Sequence, residues 1–360
     1  MADPAYDLNR YQQKTFPHVT KVNTKEAKLT FDDVLLLPQY STVTSRKYVD
    51  LEQQLDSKNN LHIPIISSPM DTVTGHDMAQ AMHEMGGLGI IHRYNTIEEQ
   101  VAMVRNVTGP CGAAVGVTGD FKERVRALVN AGAEIICLDV AHGHHILVER
   151  ALKSLKDSYG KGVHLMAGNV ATLGGFNDLA DWGADSIRCG IGGGSICTTR
   201  IQTGHGVPGF ETILECAKSD RDAKIIIDGG IKNSGDIVKA LGAGADFVIL
   251  GSLLAGTTES PGEITTYTDG SKRKAYRGMA SKKAQEAWRG DSSTPEGIST
   301  TVHYKGPVKD IISDLIGGIK SGCSYSGAKN LKELRTHCHF IKQSTASKYE
   351  SSPHILTRGE

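Results

Sequence analysis

The stretch KIIIDGGIKNSGDIVKALGAGADFVILGS, residues 224–252, holds a complete strand–helix–strand unit. An apolar, β-branched run at Lys224–Asp228 ends in Asp-Gly-Gly, and apolar residues at helical spacing follow over 234–242. A Gly-Ala-Asp step then leads into a second apolar run at Phe247–Leu250. Short, continuous apolar strands that alternate with amphipathic helices are typical of a parallel sheet covered by helices. The stretch therefore predicts an α/β fold.

The same unit recurs upstream, so that eight strands are predicted in all. They are Ile63–Ser67, Leu88–Ile91, Ala113–Val117, Glu134–Asp139, His164–Ala167, Ser186–Cys189, Lys224–Asp228 and Phe247–Leu250. The helices between them are predicted at 76–85, 97–106, 121–131, 145–158, 173–182, 210–218 and 234–242. Eight β-α units with no second set of strands after them favour a closed (β/α)8 TIM barrel. An open doubly wound sheet, which usually stops at about six strands, is the alternative.

Three segments lie outside these units. The stretch Leu29–Pro38 is mostly apolar and precedes the first strand, which suggests a cap over the bottom of the barrel. Residues 257–305 are polar and separate the eighth strand from helical material at 308–335. So long a loop predicts an active-site flap inserted after strand eight, with a disordered segment as the alternative. We expect one catalytic domain over 1–342 and a polar tail without structure over 343–360.

Composition excludes several classes of partner. The 40 basic and 40 acidic residues cancel and no long basic run occurs, so neither a nucleic acid nor an anionic membrane is expected. The longest nearly apolar stretch, Phe247–Gly256, is about half the roughly 20 residues that cross a bilayer, and the first residues lack a hydrophobic signal core. A soluble, cytoplasmic protein is expected. The seven cysteines lack zinc-type spacing, so neither a disulfide framework nor a structural metal site is indicated.

Reactive and flexible residues follow the predicted strands at their carboxyl ends, where TIM barrels form their active sites. They are Ser67–Asp71, Asp139–Gly143, Gly168-Asn169, Gly190–Arg200, Asp228–Gly230 and Gly251-Ser252. The loops after strands seven and eight commonly bind phosphate, because glycine lets backbone N–H groups approach an anion. Gly229-Gly230 and Gly251-Ser252, with Ser195 nearby, therefore predict a phosphorylated ligand. Tight turns are the alternative interpretation.

Cys197 lies in the glycine-dense loop after strand six and is a candidate nucleophile, since exposed backbone amides or a bound cation can activate a thiol there. Thr199 follows closely enough to carry a proton, although it could equally belong to a solvated turn. Most lone cysteines are packed in cores. That is the interpretation for Cys137, Cys189 and Cys216.

Two carboxylates at strand ends, Asp139 and Asp228, suit ribose hydroxyls or a cofactor amide, although each could instead cap the following helix. Three histidines lie at 142–145 without the i,i+4 spacing of a common zinc site, so metal ligation is disfavoured. Glu296 lies in the insertion and would act as an acid or base only if the insertion folds over the rim of the barrel.

Several long motifs occur together in order: Ser68-Pro-Met-Asp-Thr72, Gly190-Ile-Gly-Gly-Gly-Ser-Ile-Cys197-Thr-Thr-Arg200, Asp228-Gly-Gly-Ile231, Gly251-Ser-Leu-Leu-Ala-Gly256, Tyr276-Arg-Gly-Met279 and Tyr304-Lys-Gly-Pro307. From about Leu29 to Arg335 the chain resembles the IMP dehydrogenase/GMP reductase family. The resemblance implies a (β/α)8 barrel, typically a homotetramer, that binds a purine nucleoside monophosphate and a nicotinamide dinucleotide. In this family a thiolate adds to purine C2 and forms a covalent intermediate.

The resemblance also implies roles for single residues. Cys197 is the expected nucleophile, and Thr199 and Glu296 match the pair that moves protons. The expected substrate-binding residues are Ser68, Met70, Ser195, Asp228, Gly230, Gly251, Ser252, Tyr276, Gly278 and Met279. The cofactor is expected at Asp139 and Asn169, and a potassium ion at the backbone carbonyls of Gly192, Gly194 and Cys197.

Two activities compete within the family. A dehydrogenase oxidises IMP with NAD and hydrolyses the adduct with an Arg-Tyr pair on a mobile flap, whereas a reductase converts GMP to IMP and ammonia with NADPH. Residues 280–294 contain no Arg-Tyr pair, and the regulatory insert of paired cystathionine-synthase-type domains is absent between strands two and three, which favours GMP reductase. Ser67–Met70 and Gly87–His92 look more like dehydrogenases, so IMP dehydrogenase is the alternative. An inactive purine-binding barrel is a third reading, against which the intact Cys197 argues.

Overall fold

A closed barrel of eight parallel strands forms the centre of the protein. The computed structural model describes residues 27–291 and 294–351. Its strands are β1 (Val34–Leu36), β2 (Gln53–Gln54), β3 (Asn60–Leu61), β4 (Ile65–Ser67), β5 (Leu88–Ile91), β6 (Gly112–Val115), β7 (Ile135–Asp139), β8 (His164–Val170), β9 (Ser186–Cys189), β10 (Lys224–Asp228), β11 (Phe247–Leu250), β12 (Thr265–Thr266), β13 (Lys272–Arg277), β14 (Ser299–His303) and β15 (Phe340–Lys342). Strands β4 to β11 follow one another around the barrel, and Val248 of β11 pairs with Ile65 of β4 to close it. The predicted TIM barrel is confirmed.

Helices after the barrel strands cover the outside of the sheet, and further helices lie in the insertion and near the C-terminus. They are α1 (His76–Glu84), α2 (Ile97–Arg105), α3 (Phe121–Ala131), α4 (Ile146–Tyr159), α5 (Leu173–Asp181), α6 (Thr199–Thr203), α7 (Gly209–Cys216), α8 (Ser234–Gly242), α9 (Lys282–Arg289), α10 (Val308–Tyr325), α11 (Leu331–His337) and α12 (Thr345–Glu350). Local chemistry sets their ends: Thr96 and Glu99 form a capping box that starts α2, and Gly132, at a φ of 109°, ends α3. Over 27–291 and 294–351, none of these helices has the length and apolar character that crossing a bilayer requires.

Side chains alternate along the barrel strands between two hydrophobic clusters. One lies between sheet and helices, and the other fills the barrel. The interior cluster contains Ile66, Leu88, Ile90, Ala114, Ile135, Cys137, Met166, Ile226, Phe247 and Ile249. Leu55 and Leu61, from the β2–β3 hairpin, also belong to it. This hairpin therefore plugs the amino end of the barrel.

The predicted position of Leu29–Pro38 as a bottom cap is wrong. Phe31 lies at the carboxyl end, where a Cβ added to Gly230 would come within 3.5 Å of its ring. Pairing of β1 with β15, with Leu35 opposite Ile341, holds this segment beside the rim. The sequence pattern showed an apolar segment but not its partner strand, which comes from the far end of the chain.

The insertion after β11 contains a three-stranded antiparallel sheet, β12–β13–β14. Helix α9 lies in the chain between β13 and β14. The expectation of no second set of strands is therefore wrong. Strand β13 is rich in Lys and Arg and does not resemble an apolar barrel strand, because its partners lie within the insertion. The buried Lys274 of β13 donates hydrogen bonds to the carbonyls of Thr257 and Ser260, which ties this sheet to the start of the insertion.

The tail was also predicted without structure, and over the described residues up to 351 this is wrong. Ser344 caps the start of α12, and its hydroxyl accepts a hydrogen bond from the amide of Ser347. Lys348 of this helix pairs with Asp32 at 2.8 Å. A serine-rich composition suggested disorder, but one of these serines is a helix cap.

Candidate active site

Two adjoining cavities open at the carboxyl ends of the barrel strands, with volumes of about 330 and 450 Å³. The first is lined by the predicted residues Ser68, Met70, Gly192, Gly194, Ser195, Asp228, Gly230, Gly251, Ser252 and Tyr276. The second adds Asp139, Asn169, Cys197, Thr199, Gly278, Met279 and Glu296. Because Met70, Asp228 and Tyr276 line both, the cavities form one cleft. Every residue predicted for the site lies in this cleft.

Cys197 is held in the cleft by the loop after β9 and by the flap. The amide of Ile298 donates to the carbonyl of Ile196, and the amide of Thr198 donates to the carbonyl of Glu296. These bonds bring the flap carboxylate of Glu296 to the Cys197 thiol. The Cys197 thiol donates to the Thr199 hydroxyl at 3.1 Å, and that hydroxyl donates to Glu296 Oε2 at 2.8 Å. The three side chains form a continuous path for a proton.

The other cysteines are set up differently. Burial raises the pKa of Cys111 to about 12 and that of Cys137 to about 11. Cys189 and Cys216 are also buried, as predicted. A buried thiol stays protonated and is a poor nucleophile. Cys197 is partly exposed and is the one cysteine among the described residues that lines the cleft.

The first cavity ends at glycines whose backbone faces it. Gly229 and Gly230 have φ angles of 93° and 87°, a left-handed backbone that favours glycine. Ser195 and Tyr276 approach each other to 3.4 Å between their hydroxyl oxygens. Burial raises the pKa of Tyr276, so its hydroxyl keeps a proton to donate. Backbone amides and hydroxyl donors at one end of a cavity can bind an anion.

The loop after β4 lines both cavities and contacts the flap. Met70 and Ser68 are joined by a backbone hydrogen bond of 2.7 Å in a tight turn. A Cβ on Gly251 would come within 3.3 Å of both the Met70 sulfur and the Tyr276 hydroxyl, so glycine makes room for these two groups. Arg277 of β13 donates to the Asp71 carboxylate at 2.8 Å from Nε. This ion pair fastens the flap sheet to the loop after β4.

Asp139 and Asp228 do not cap helices, since His145 caps α4 and Asn233 caps α8. Both carboxylates pair with Arg188 instead, whose guanidinium lies 2.6 Å from each. The pattern missed Arg188 as a site residue. A detectable signal was present, because a charged residue in the short barrel strand β9 interrupts the apolar run expected of parallel strands.

Arg93, which also lines the second cavity, was missed as well. Its Nε donates to the second oxygen of Asp139 at 3.2 Å. Asn169 donates its side-chain amide to the Gly190 carbonyl at 2.8 Å and to Asp228 at 3.0 Å. These contacts fix the polar floor of the cleft.

The histidines at 142–145 form no metal site. His144 bonds to Asp178 at 2.8 Å, and His145 caps α4 through Nδ1. Within 27–291 and 294–351 no group of three or more His, Cys, Asp or Glu side chains is arranged to hold a metal ion.

Helix α9 of the flap rests on the barrel through one aromatic contact. The Trp288 ring stacks on Tyr94, with centroids 5.9 Å apart and planes inclined by 15°. The Arg124 guanidinium lies 5.9 Å from the Trp288 ring, and the Tyr94 hydroxyl donates to the Met279 carbonyl at 2.8 Å. Gln285 of this helix lines the second cavity. The stack therefore holds the flap over the cleft.

Comparison with known proteins agrees with these features. The family model of the IMP dehydrogenase / GMP reductase domain matches residues 28–354. The inosine-5'-monophosphate dehydrogenase of Nitrosopumilus maritimus (strain SCM1) is 33% identical, with 91% of this chain and 98% of that protein covered. The GMP reductase of Leishmania major is 32% identical, with 92% of this chain and 97% of that protein covered.

A solved structure is similar over the same length. It is that of an alanine-for-cysteine variant of GMP reductase from Trypanosoma brucei in complex with guanosine 5'-monophosphate, with a TM-score of 0.87 at 32% identity. The match covers 91% of this chain and 98% of that one. Relatives of both activities thus align with nearly the whole chain. The resemblance seen in the motifs is confirmed, and the chain belongs to the IMP dehydrogenase/GMP reductase family of oxidoreductases, which act on purine nucleotides.

Proposed function

We propose that this protein is a GMP reductase, which converts GMP to IMP and ammonia with NADPH. One observation carries the proposal. The flap is docked on the cleft with Glu296 bonded to Thr199, yet its segment 280–294 contains no Arg-Tyr pair. Hydrolysis of the family's covalent intermediate needs an activated water, and this flap offers no arginine–tyrosine pair to activate one. The reduction needs the nucleophile, a proton path and a hydride donor, but no activated water.

The contacts of Cys197 suit the covalent half of this reaction. The thiol proton passes through Thr199 to Glu296, and the sulfur adds to C2 of the purine while the ring nitrogen takes up a proton from solvent. The same path then returns the thiol proton to the 2-amino group. The C2–N bond breaks, ammonia leaves, and the sulfur stays bonded to C2. A nicotinamide cofactor held beside Asp139 and Asn169 would supply a hydride to C2. The C2–S bond then breaks, and the proton on the ring nitrogen returns to sulfur, which gives IMP and the Cys197 thiol.

The family resemblance supplies the substrate positions, and the cleft has room for them at these residues. The phosphate would lie at the glycine end of the first cavity, with Ser195, Gly230, Gly251, Ser252 and Tyr276. Asp228 would accept the ribose hydroxyls. The base would lie between the Ser68–Met70 loop and the flap residues Gly278 and Met279, with C2 toward Cys197.

We place the nicotinamide end of the cofactor in the second cavity, beside the flap. At about 450 Å³ it is the larger of the two, and it is lined by Asp139, Asn169 and the flap. A potassium ion would take the carbonyl oxygens of Gly192, Gly194 and Cys197, since such oxygens replace the hydration shell of this ion. The Gly194 carbonyl already accepts the Cys197 amide at 3.1 Å, so this loop is ordered where the ion would bind. We extend the proposal to the homotetramer typical of the family and to the cytoplasm.

IMP dehydrogenase is the competing activity, because relatives with that name also align with the chain. Both reactions should be assayed on one purified preparation, following NADPH consumption with GMP and NADH formation with IMP and NAD. We expect IMP and ammonia in equal amounts from GMP, and no sustained XMP formation. Robust XMP production without reduction of GMP would reverse the assignment.

A further inference from the structure

Three side chains from three strands meet in one layer at the top of the barrel interior. Asp139 ends β7, Arg188 lies in β9 and Asp228 ends β10. The Arg188 side chain is 7% exposed. It donates from Nη1 to Asp139 Oδ1 at 2.6 Å, and from Nη2 and Nε to Asp228 Oδ2 at 2.6 and 3.0 Å. One guanidinium thus bridges two carboxylates that line different parts of the cleft.

The backbone is shaped to allow this bridge. In the barrel register Asp139 lies beside Gly168 of β8, and Gly168 lies beside Arg188. A Cβ on Gly168 would come within 2.6 Å of the Arg188 carbonyl and 2.7 Å of its Cβ. The missing side chain on the strand between them leaves the space through which Arg188 reaches β7.

The charges explain why the bridge is stable. Burial alone would raise the pKa of Asp139, but the charges of Arg188 and Arg93 outweigh it and hold that pKa below its usual value. Burial works against the charged form of Arg188 too, yet Asp228, Cys137 and Asp139 keep its pKa raised. The three groups depend on one another, so removing any one of them disturbs the other two.

The bridge also decides which oxygen of Asp228 a ligand can use. Oδ2 accepts both bonds from Arg188 and a third from Asn169 at 3.0 Å. Among the described residues these donors all converge on Oδ2, so Oδ1 remains for a ligand. Asp139, by contrast, lines only the second cavity and has an arginine on each oxygen.

We propose that Arg188 is a positioning residue that couples the two cavities: it fixes Asp228 for the ribose of the nucleotide through the same guanidinium that fixes Asp139 beside the cofactor. The proposal rests on the proposed function for the roles of these two carboxylates. Its consequence is that a change at Asp139, outside the nucleotide cavity, alters nucleotide affinity, and that this effect passes through Arg188.

The test measures GMP and IMP binding by titration calorimetry without cofactor, on the full chain. Arg188→Met should raise the GMP Kd about tenfold, and Arg188→Lys, which keeps the charge, should raise it about threefold or less. Asp139→Asn should raise the GMP Kd about threefold in the wild-type background. In the Arg188→Met background the same change should have no further effect.

A merely structural role makes different predictions. If Asp139→Asn leaves the GMP Kd unchanged in the wild-type background, or weakens binding equally in both backgrounds, the coupling is refuted. Should Arg188→Met alone fail to fold, Arg188→Lys and the charge-balanced double variant Arg188→Met/Asp139→Asn replace it. If Arg188→Lys then binds GMP no better than the double variant, the proposal is overturned as well.

Arg335→Met is the matched control, because Arg335 pairs with Asp246 at 2.9 Å away from the cleft. It should lower the melting temperature and leave the nucleotide Kd unchanged; equal weakening by this variant would show that Arg188 acts only through stability. Failure of the proposed function can be distinguished from failure of the coupling, since the nucleotide Kd can be measured even if the protein does not reduce GMP.

Discussion

The two ends of the barrel both contain a half-buried carboxylate, but they use it in opposite ways. At the amino end Asp56 accepts His164 at 2.8 Å and the amides of Lys58 and Asn59, so both its oxygens are occupied. At the carboxyl end Asp228 keeps an oxygen for a ligand. Leu55 fills the barrel interior at the amino end, although Asp56 also lines two clefts there, whereas at the carboxyl end the interior opens into the two joined cavities. Satisfied polar groups and a dry plug stabilise a fold, and unsatisfied ones beside a cavity bind and react.

The largest effect is expected when Cys197, which lies in the cleft, is compared with a buried cysteine. Cys197→Ala removes the proposed nucleophile and should lower turnover by about 10⁴-fold or more, because the remaining residues cannot replace a covalent step. Its free energy of unfolding should change by less than about 0.5 kcal/mol, since the thiol is partly exposed. Steady-state assays and denaturant titrations measure both quantities.

Cys323→Ala is the matched control for that experiment. This thiol is buried in α10, and burial raises its pKa to about 12. The control should lose stability and keep its turnover number. Comparable losses of turnover in both variants would remove the distinction between the two kinds of cysteine.

The amino-end plug gives the next largest effect. Leu55→Ala should lower the free energy of unfolding by about 3 kcal/mol, because it opens a cavity among fully buried side chains. The KM values and turnover number at 25 °C should stay within about twofold of those of the wild type. A large change in KM would mean that the plug shapes the cleft through the barrel interior.

The contact between Trp288 of the flap and Tyr94 should have a smaller effect, which is confined to the KM for the cofactor. Trp288→Ala removes the stack on Tyr94, and the KM for the nicotinamide cofactor should rise about tenfold, since aromatic pairs of this kind contribute about 0.5–1.5 kcal/mol beyond their buried area. Melting temperature should hardly change, because the barrel core is untouched. Ile264→Ala, at an exposed position in the same insertion, is the control. An unchanged cofactor KM would show that the stack does not hold the flap closed.

The smallest expected effect is on the pH dependence of the free energy of unfolding. Burial raises the pKa of Asp56, but hydrogen bonds from His164 and Asn59 outweigh it, so the folded pKa lies below the usual value of about 3.9. Such a carboxylate stabilises the fold above its unfolded pKa and loses that contribution as the pH falls through the folded pKa. Asp56→Asn should therefore cost about 1–2 kcal/mol at pH 7, and the difference should narrow below about pH 4. The loss in free energy of unfolding caused by Leu55→Ala should not change with pH. If the loss caused by Asp56→Asn is also independent of pH, the pKa of Asp56 does not differ between the folded and unfolded states and the prediction is wrong.

Much of the fold could be predicted from the sequence because barrel strands and helices carry local signals. The largest difference among the barrel strands is at β8, which extends to Val170 rather than Ala167. The two failures have different causes. Strand β13 pairs only within the insertion and lacks the apolar run of a barrel strand, so the pattern used for the barrel did not detect it. The segment around Phe31 is placed by β15, whose position no local pattern gives.

The candidate site shows the same division. Cys197, Asp139 and Asp228 could be predicted as cleft residues because each follows or ends a barrel strand. The carboxyl ends of parallel strands lie at the same edge of the sheet. Arg188 was missed because a single strand shows its charge but not the two carboxylates on neighbouring strands that make the charge tolerable. Burial of an arginine is a property of the assembled layer and not of β9 alone.

The proton path from Cys197 to Glu296 joins two parts of the protein that can change independently. The sulfur is carried by the barrel, whereas the carboxylate is carried by an insertion whose sheet is paired to itself. A segment of a relative that replaces residues 257–305 and keeps the backbone contacts to Ile196 and Thr198 would therefore exchange the carboxylate, while Cys197 stays on the barrel. Under the proposed function, divergence of the insertion would then redirect a common adduct toward a different product.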